Sequence, residues 1–380
     1  MKQLRIFSTL IVALLIASLA SAQTVNTQSA LKPTTTSALK EYKVISYNVR
    51  LSMAADADGD NRWENRREAS LKMVAEQKPI VMGLQEACPD QIDYFDKNLT
   101  DYKHIGVGRD DGDREGEMMA IYYDTKRLTL LKSGTFWLSE TPDKVSRGWD
   151  AACNRTCTWG FFKVKNSNHG FFYFNTHLDH LGREARKNSI ELIVAKIKEL
   201  NPNGAPVLLS ADFNSPTDNA IFDPLKAALH DARSECKITD NSITYNGFGN
   251  IEGNTATNND NEQVIDHIFY SGVTPMKFKV LNGNYGVPYI SDHYPIAFTF
   301  RLGLAKRGRA RLLNGNAPAK KNVASGIATQ KVSSTPAKSC PAKEGKEKSC
   351  SGNSCTVKVG TEKSCSGNSC PMQKVTPTKK

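Results

Sequence analysis

Phe171-Phe172-Tyr173-Phe174-Asn175-Thr176-His177-Leu178-Asp179-His180 is the run on which the fold turns. Phe171–Asn175 is aromatic and reads as a buried strand, and the chain places His177, Asp179 and His180 where that strand ends. Gly182–Leu200 follows as the best helix in the chain, with Ile190, Ile193, Val194, Ile197 and Leu200 at helical spacing. Pro206–Ser210 is a second buried-type strand, and it ends in Ala-Asp-Phe-Asn, which carries Asp212 and Asn214. An open α/β sheet collects a site at the carboxyl ends of its strands, which is where these polar groups fall.

The same arrangement recurs on both sides. Tyr42–Tyr47 leads into Asn48, and Pro79–Leu84 leads into Gly-Leu-Gln-Glu with Glu86; the spacing predicts a helix over Trp63–Gln77 between them. Met118–Tyr123, Thr129–Leu138, Thr158–Val164, Val264–Phe269 and Pro295–Phe300 complete the strands, with Ser-Asp-His-Tyr-Pro (Asp292, His293) just before the last. So many strands need more than one sheet, with helices on the outer faces. Carboxylates and carboxamides at strand ends suit a hard cation such as Mg²⁺, or Mn²⁺, that keeps waters and is completed by substrate phosphate. Two histidines beside such a site can move protons near neutral pH. The chemistry expected is attack of water on a phosphate ester.

In order and wording these five runs, with Ile-Asp-His-Ile-Phe around Asp266, resemble the endonuclease/exonuclease/phosphatase superfamily. That group includes deoxyribonuclease I, the deadenylases, inositol polyphosphate 5-phosphatases and bacterial sphingomyelinases. The resemblance covers residues 41–301 and implies a four-layer α/β/β/α sandwich. Phe-Trp-Leu-Ser-Glu-Thr-Pro-Asp (136–143) and Gly-Trp-Asp-Ala-Ala (148–152) are similar to a bacterial subgroup of unassigned substrate.

Glu86 is the first choice of metal ligand, because a carboxylate at a buried strand end is costly without a cation or partner; the resemblance gives it the same role. Asn48 offers a neutral carbonyl ligand, and Asp292 completes the metal or water network. Asp212 and Asn214 flank Phe213, so in an extended segment they share one face while Phe213 packs. Asp212 would orient or deprotonate the water, and Asn214 would hold a phosphate oxygen. The resemblance implies that Asp266 orients His293 and that Glu117 orients His177. Arg155 is a candidate phosphate clamp, and His180 a candidate substrate contact. Cys153 and Cys157 flank Arg155 but form no Cys-x₅-Arg loop, which excludes a nucleophilic-cysteine phosphatase.

The ends of the chain have other tasks. Residues 1–22 read as a signal peptide: Lys2 and Arg5, an apolar stretch to Ala20, and Ala20-Ser21-Ala22 as the cleavage site. The mature protein would be periplasmic or secreted, without a transmembrane anchor. Residues 23–40 suit a flexible linker, and 302–380 a disordered basic tail. From Arg301 onward there are 17 Lys and Arg against 3 acidic residues, so the rest of the chain, at 33 against 36, is slightly acidic. The tail repeats Glu-Lys-Ser-Cys-Ser-Gly-Asn-Ser-Cys at 347–355 and 362–370 and would contact an anionic surface or polymer.

The core has no basic surplus to meet DNA phosphates, which weighs against a dedicated double-strand nuclease. It lacks the Pro-Ala-Trp-Cys-Asp-Arg run of the 5-phosphatases, and no apolar hairpin supports a sphingomyelinase. The expected function is an exported metal-dependent phosphoesterase acting on a phosphate monoester or diester. An extracellular nuclease, with nucleic acid as partner, is the competing reading, and an inactive binding module the reading from another class.

Overall fold

The computed structural model describes residues 40–250 and 261–303; the expected signal peptide, the linker before Lys40 and the tail beyond Gly303 lie outside them. Among the described residues, twelve strands form two sheets of six. The first has the order β11 (Val273–Val280), β12 (Ile296–Leu302), β1 (Glu41–Asn48), β2 (Val81–Gln85), β4 (Ile121–Asp124), β3 (Tyr102–Ile105). The second has the order β5 (Leu128–Trp137), β6 (Thr156–Val164), β7 (Gly170–His177), β8 (Val207–Asp212), β10 (Asp266–Ser271), β9 (His230–Asp231).

Each sheet is built around one parallel pair, β1 with β2 and β7 with β8, and the neighbouring strands run antiparallel. A parallel pair needs a long crossover. Helix α1 (Trp63–Gln77) supplies it in the first sheet and α3 (Arg183–Leu200) in the second; α2 (Pro89–Asn98) follows β2. Trp63, Met73 and Val74 of α1 and Ile92 and Phe95 of α2 bury against Ile45, Tyr47, Met82 and Leu84 on the outer face of the first sheet. Ile190, Ile193 and Ile197 of α3 bury against Phe174, Leu209 and Phe269 on the outer face of the second. The α/β/β/α order implied by the resemblance is therefore the one observed. Among the described residues, no helix is long and apolar enough to cross a membrane.

Between the sheets the packing changes from apolar to polar toward the site. Val44, Val81, Phe162, Phe171, Phe298 and Phe300 fill the far end; each such side chain contributes about 1.5–3 kcal/mol on burial. Nearer the site, Asn175 Nδ2 donates to the Leu84 and Ala120 carbonyls at 2.7 and 3.1 Å, and its Oδ1 accepts from Gln85 Nε2 at 2.7 Å and Ser210 Oγ at 3.0 Å. These bonds fasten β7 to β2 and fix one sheet against the other. Gly83 makes the approach possible: a Cβ there would lie 2.4 Å from Asn175 Oδ1.

Two of the quoted runs explain local structure. Asp150, in Gly-Trp-Asp-Ala-Ala, accepts from Ala185 N at 2.7 Å and Glu184 N at 3.3 Å, satisfying donors that the first turn of α3 leaves free. Trp137, in the Phe-Trp-Leu-Ser run, donates through Nε1 to the Arg109 carbonyl at 2.8 Å and pins that loop. Helix α2, β3, β9 and β11 were not anticipated. Edge strands β3 and β11 carry exposed residues such as Lys103, Thr274 and Lys277, so their apolar signal is weak.

Candidate active site

Strand register sets up the site. Asn48 pairs with Gln85, His177 with Asp212, and Asp212 with Asp266, so the polar ends of β1, β2, β7, β8 and β10 arrive together. The chain then turns sharply. Arg50, Glu86 and Asn214, each just beyond a strand, adopt left-handed backbone with φ of 56, 61 and 49°. Non-glycine residues rarely accept this conformation, and strain of that kind gathers at functional sites. Buried Arg66 of α1 holds the first turn by donating to the Val49, Arg50 and Ile290 carbonyls.

Asp212 is the hub. Its Oδ1 accepts from Asn214 N at 2.9 Å, and its Oδ2 from Asn48 Nδ2 at 3.0 Å. His177 Nε2 and His293 Nε2 face Oδ2 at 3.4 and 3.6 Å. Burial, with Asp266 adding to it against the pull of His293, pushes the Asp212 carboxyl up to about 7. Glu86 accepts from Asn48 Nδ2 at 3.0 Å and Leu51 N at 3.1 Å. Burial would raise its pKa, but Arg50 and these bonds hold it below the ordinary carboxylate value.

The two imidazoles are placed in opposite environments. His293 Nδ1 lies 2.8 Å from Asp266 Oδ2. Despite burial, Asp266 and Asp212 hold His293 well above its usual pKa, so it carries a proton. Burial and then the charges of Arg155 and Arg109 hold His177 well below its usual value, so that ring is neutral. Its Nε2 accepts from Asn214 Nδ2 at 2.9 Å.

Three expectations are corrected here. Glu117 does not orient His177: its carboxylate pairs with Arg109 at 2.7 Å, and His177 Nδ1 has no hydrogen-bond partner. Asn48 offers the carboxylates its amide nitrogen, while its Oδ1 accepts from Arg50 N at 3.0 Å. Asn214 is not part of an extended segment; its left-handed turn brings the side chain back to His177, although Phe213 does pack with Phe222 and Phe269.

Asp292 is buried and meets Arg50 at 3.5 Å. Arg155, whose charge acts on His177, donates through Nε to Asp179 at 3.2 Å and bonds through Nη2 with His180 Nδ1 at 3.0 Å. Its Nη1 is buried without a partner. Arg50, Arg109 and Tyr245 join the site without having been singled out from the sequence. Arg50 lies two residues after Asn48, in Ser46-Tyr47-Asn48-Val49-Arg50; Arg109 and Tyr245 lie in loops without any pattern. The Tyr245 ring lies 5.0 Å from that of His293. Burial raises its pKa first, and Asp292, Glu86 and Asp212 add to the rise against the pull of Arg50.

Glu86, His177 and Asp212 present ligand atoms within 4.8 Å of one another, as do Asp212, Asp266 and His293. Buried carboxylates pushed up at Asp212 and Asp292 are a donor set that a divalent cation would relieve, so the residues fit one. Cys153, Asp179 and His180 form a third group, but Arg155 already bonds two of its members and would repel a cation.

The model of the Endonuclease/Exonuclease/phosphatase family matches residues 45–293. The chain belongs to that family. A mannosyl-6-phosphatase of Bacteroides thetaiotaomicron is 35% identical, covering 68% of this chain and 99% of its own, with a TM-score of 0.62. A family protein from the same organism is 34% identical, over 70% of this chain and 99% of its own, at 0.63. The human Nocturnin catalytic domain, 16% identical, covers 69% of this chain and 94% of its own at 0.54 and shares the fold. Members of the family hydrolyse phosphate esters and are generally dependent on a divalent metal; this chain is a phosphoester hydrolase.

Proposed function

We propose that the chain is an exported, divalent-metal-dependent phosphatase that removes the phosphate group of a sugar phosphate monoester. The observation that carries this reading is the cationic wall beside His177, where Arg155 presents a buried Nη1 without a partner and Arg109 stands close by. A monoester phosphate has one more terminal anionic oxygen than a diester, and planar guanidinium donors match it. The likeness to a mannosyl-6-phosphatase supports a sugar as the alcohol.

Each residue then has a task. Arg155 and Arg109 bind the terminal oxygens. Asp212, pushed up to about 7, takes the proton of the attacking water at Oδ2. His293, charged and held by Asp266, offsets negative charge that grows on the phosphate or on the leaving oxygen. Neutral His177, fixed by Asn214, lines the opposite side. Glu86, with Asp292 nearby, would hold Mg²⁺ or Mn²⁺, which leaves Asp212 for the water. When bound, that cation polarises the phosphoryl oxygens and makes water more acidic.

Export rests on residues 1–22, and the mature N-terminus, read by mass spectrometry of protein from the native host, would start at Gln23. The activity is tested by phosphate release from hexose 6-phosphates and p-nitrophenyl phosphate, beside bis-p-nitrophenyl phosphate and nucleic acids, with Mg²⁺, Mn²⁺ or EDTA. Turnover of the diesters alone would overturn the monoester reading.

A further inference from the structure

At the end of β1 remote from the catalytic residues, the outer face of the first sheet is not covered by α1. Lys43 of β1 and Lys277 of β11 each stand in register with Thr299 of β12, so the three form one row on one face. The two lysine Cα atoms are about 10 Å apart across two strand spacings. Lys279, one step along β11, shares that face, and Lys78 follows the last turn of α1. Together they border a groove of about 600 Å³.

Among the described residues, neither Lys43 nor Lys277 has an ion-pair partner. Glu41, in the next row, is paired with Arg301 at 2.7 Å, and Asp240 reaches Lys279 only at 4.0 Å. Lys43 Nζ donates to Gln77 Oε1 at 2.9 Å, a neutral acceptor. Burial first and Lys277 second hold the Lys43 ammonium below its ordinary pKa, so the two cations feel each other. Like charges on one face of a sheet cost stability. What the row offers in return is two ammonium groups about a hydroxyl donor in a concave place, the donor set that a tetrahedral oxyanion requires.

We infer that the Lys43–Thr299–Lys277 row is a second anion site, for a phosphate or sulfate group. Asn48 lies five residues further along β1, about 17 Å away, so this site is separate from the catalytic one. Its oxyanion comes either free from solution or as a substituent of an anionic polysaccharide.

The test is thermal unfolding of the full chain and of Lys277→Gln, an exposed change that cannot empty the core, at constant ionic strength in EDTA. Without multivalent anion the variant should melt higher, because one repulsion is gone. Inorganic phosphate should then raise the wild-type midpoint more than the variant's, the titration giving an affinity about tenfold weaker for the variant, as expected for one charge-assisted bond. Phosphate bound at the catalytic residues shifts both proteins alike and cancels. Closure of the gap by phosphate assigns a free oxyanion; closure by dextran sulfate but not by phosphate assigns a polymer-borne group. A gap that neither anion changes overturns the inference. Lys43→Gln should repeat the pattern.

Discussion

His293 Nδ1 lies 2.8 Å from Asp266 Oδ2, and the same imidazole turns its Nε2 toward Asp212 at 3.6 Å. One carboxylate thus fixes the ring and keeps it charged while the other shares the reaction space. His293→Ala should lose about 10²–10⁴-fold in kcat/KM, the usual contribution of a proton-handling group. Asp266→Asn should lose less, since it disturbs orientation and charge but leaves the ring. Equal kcat/KM losses would show that His293 has no role beyond its contact with Asp266.

Glu86→Gln keeps the shape of the side chain and its bonds from Asn48 and Leu51 while removing the charge. Turnover should collapse, and the Mg²⁺-dependent rise in unfolding temperature seen with the wild type should shrink. Near wild-type rates at saturating Mg²⁺ would remove Glu86 from the metal site.

Tyr245 packs on His293 with ring centroids 5.0 Å apart. Tyr245→Phe keeps the packing and tests the hydroxyl alone; a loss of roughly tenfold or more, the worth of one hydrogen bond to a charged group at about 1.5–3 kcal/mol, would show that the hydroxyl acts on the reacting groups. Tyr245→Ala should cost more, because the imidazole also loses its wall. Kinetics of both variants on one monoester, compared with wild type, separate the two effects.

Asp179, almost fully buried, accepts from Ala152, Leu181 and Gly182 N–H groups and from Arg155. Burial opposes ionisation, yet these donors hold its carboxyl far below the ordinary value. Its stabilising effect is therefore complete above the unfolded pKa of about 3.9 and is lost as pH falls through the lower, folded value. Asp179→Asn should destabilise by about 2 kcal/mol or more at pH 7, where it leaves the buried Arg155 charge unpaired. The gap to wild type should narrow below about pH 4; urea unfolding at several pH values measures it.

A chain ended after Gly303 should turn over small substrates as well as the full chain does, while its retention on heparin at low salt falls. The difference should fade as salt rises, because charges more than about 8 Å apart are largely screened near physiological ionic strength. Equal retention would dismiss the expected contact of the tail with an anionic surface or polymer.

Much of the arrangement was legible because it is local. The Trp63–Gln77 helix is written in the spacing of Trp63, Met73 and Val74 and in Pro79 beyond its end. Asn48, Glu86, His177 and Asp212 could be chosen because each follows an apolar strand. Roles that depend on distant partners were not legible. Glu117 looked like a partner for His177 until Arg109 was seen to hold it, and Tyr245 has no signal in its own neighbourhood.

The sequence by itself determined the central strands and the two crossover helices, the layer order through its resemblance to a family, and the set of polar residues at strand ends, because apolar periodicity and strand length are properties of short stretches; the edge strands β3, β9 and β11 and helix α2 came only with the structure. Only the tertiary structure decided which imidazole is charged and which neutral. Both rings are buried histidines next to Asp212; Asp266 faces one, and Arg155 and Arg109 face the other. A pKa is set by nearby charges, and those charges come from residues up to 81 positions away in the chain (Asp212 and His293), which only the packing of two sheets brings within reach.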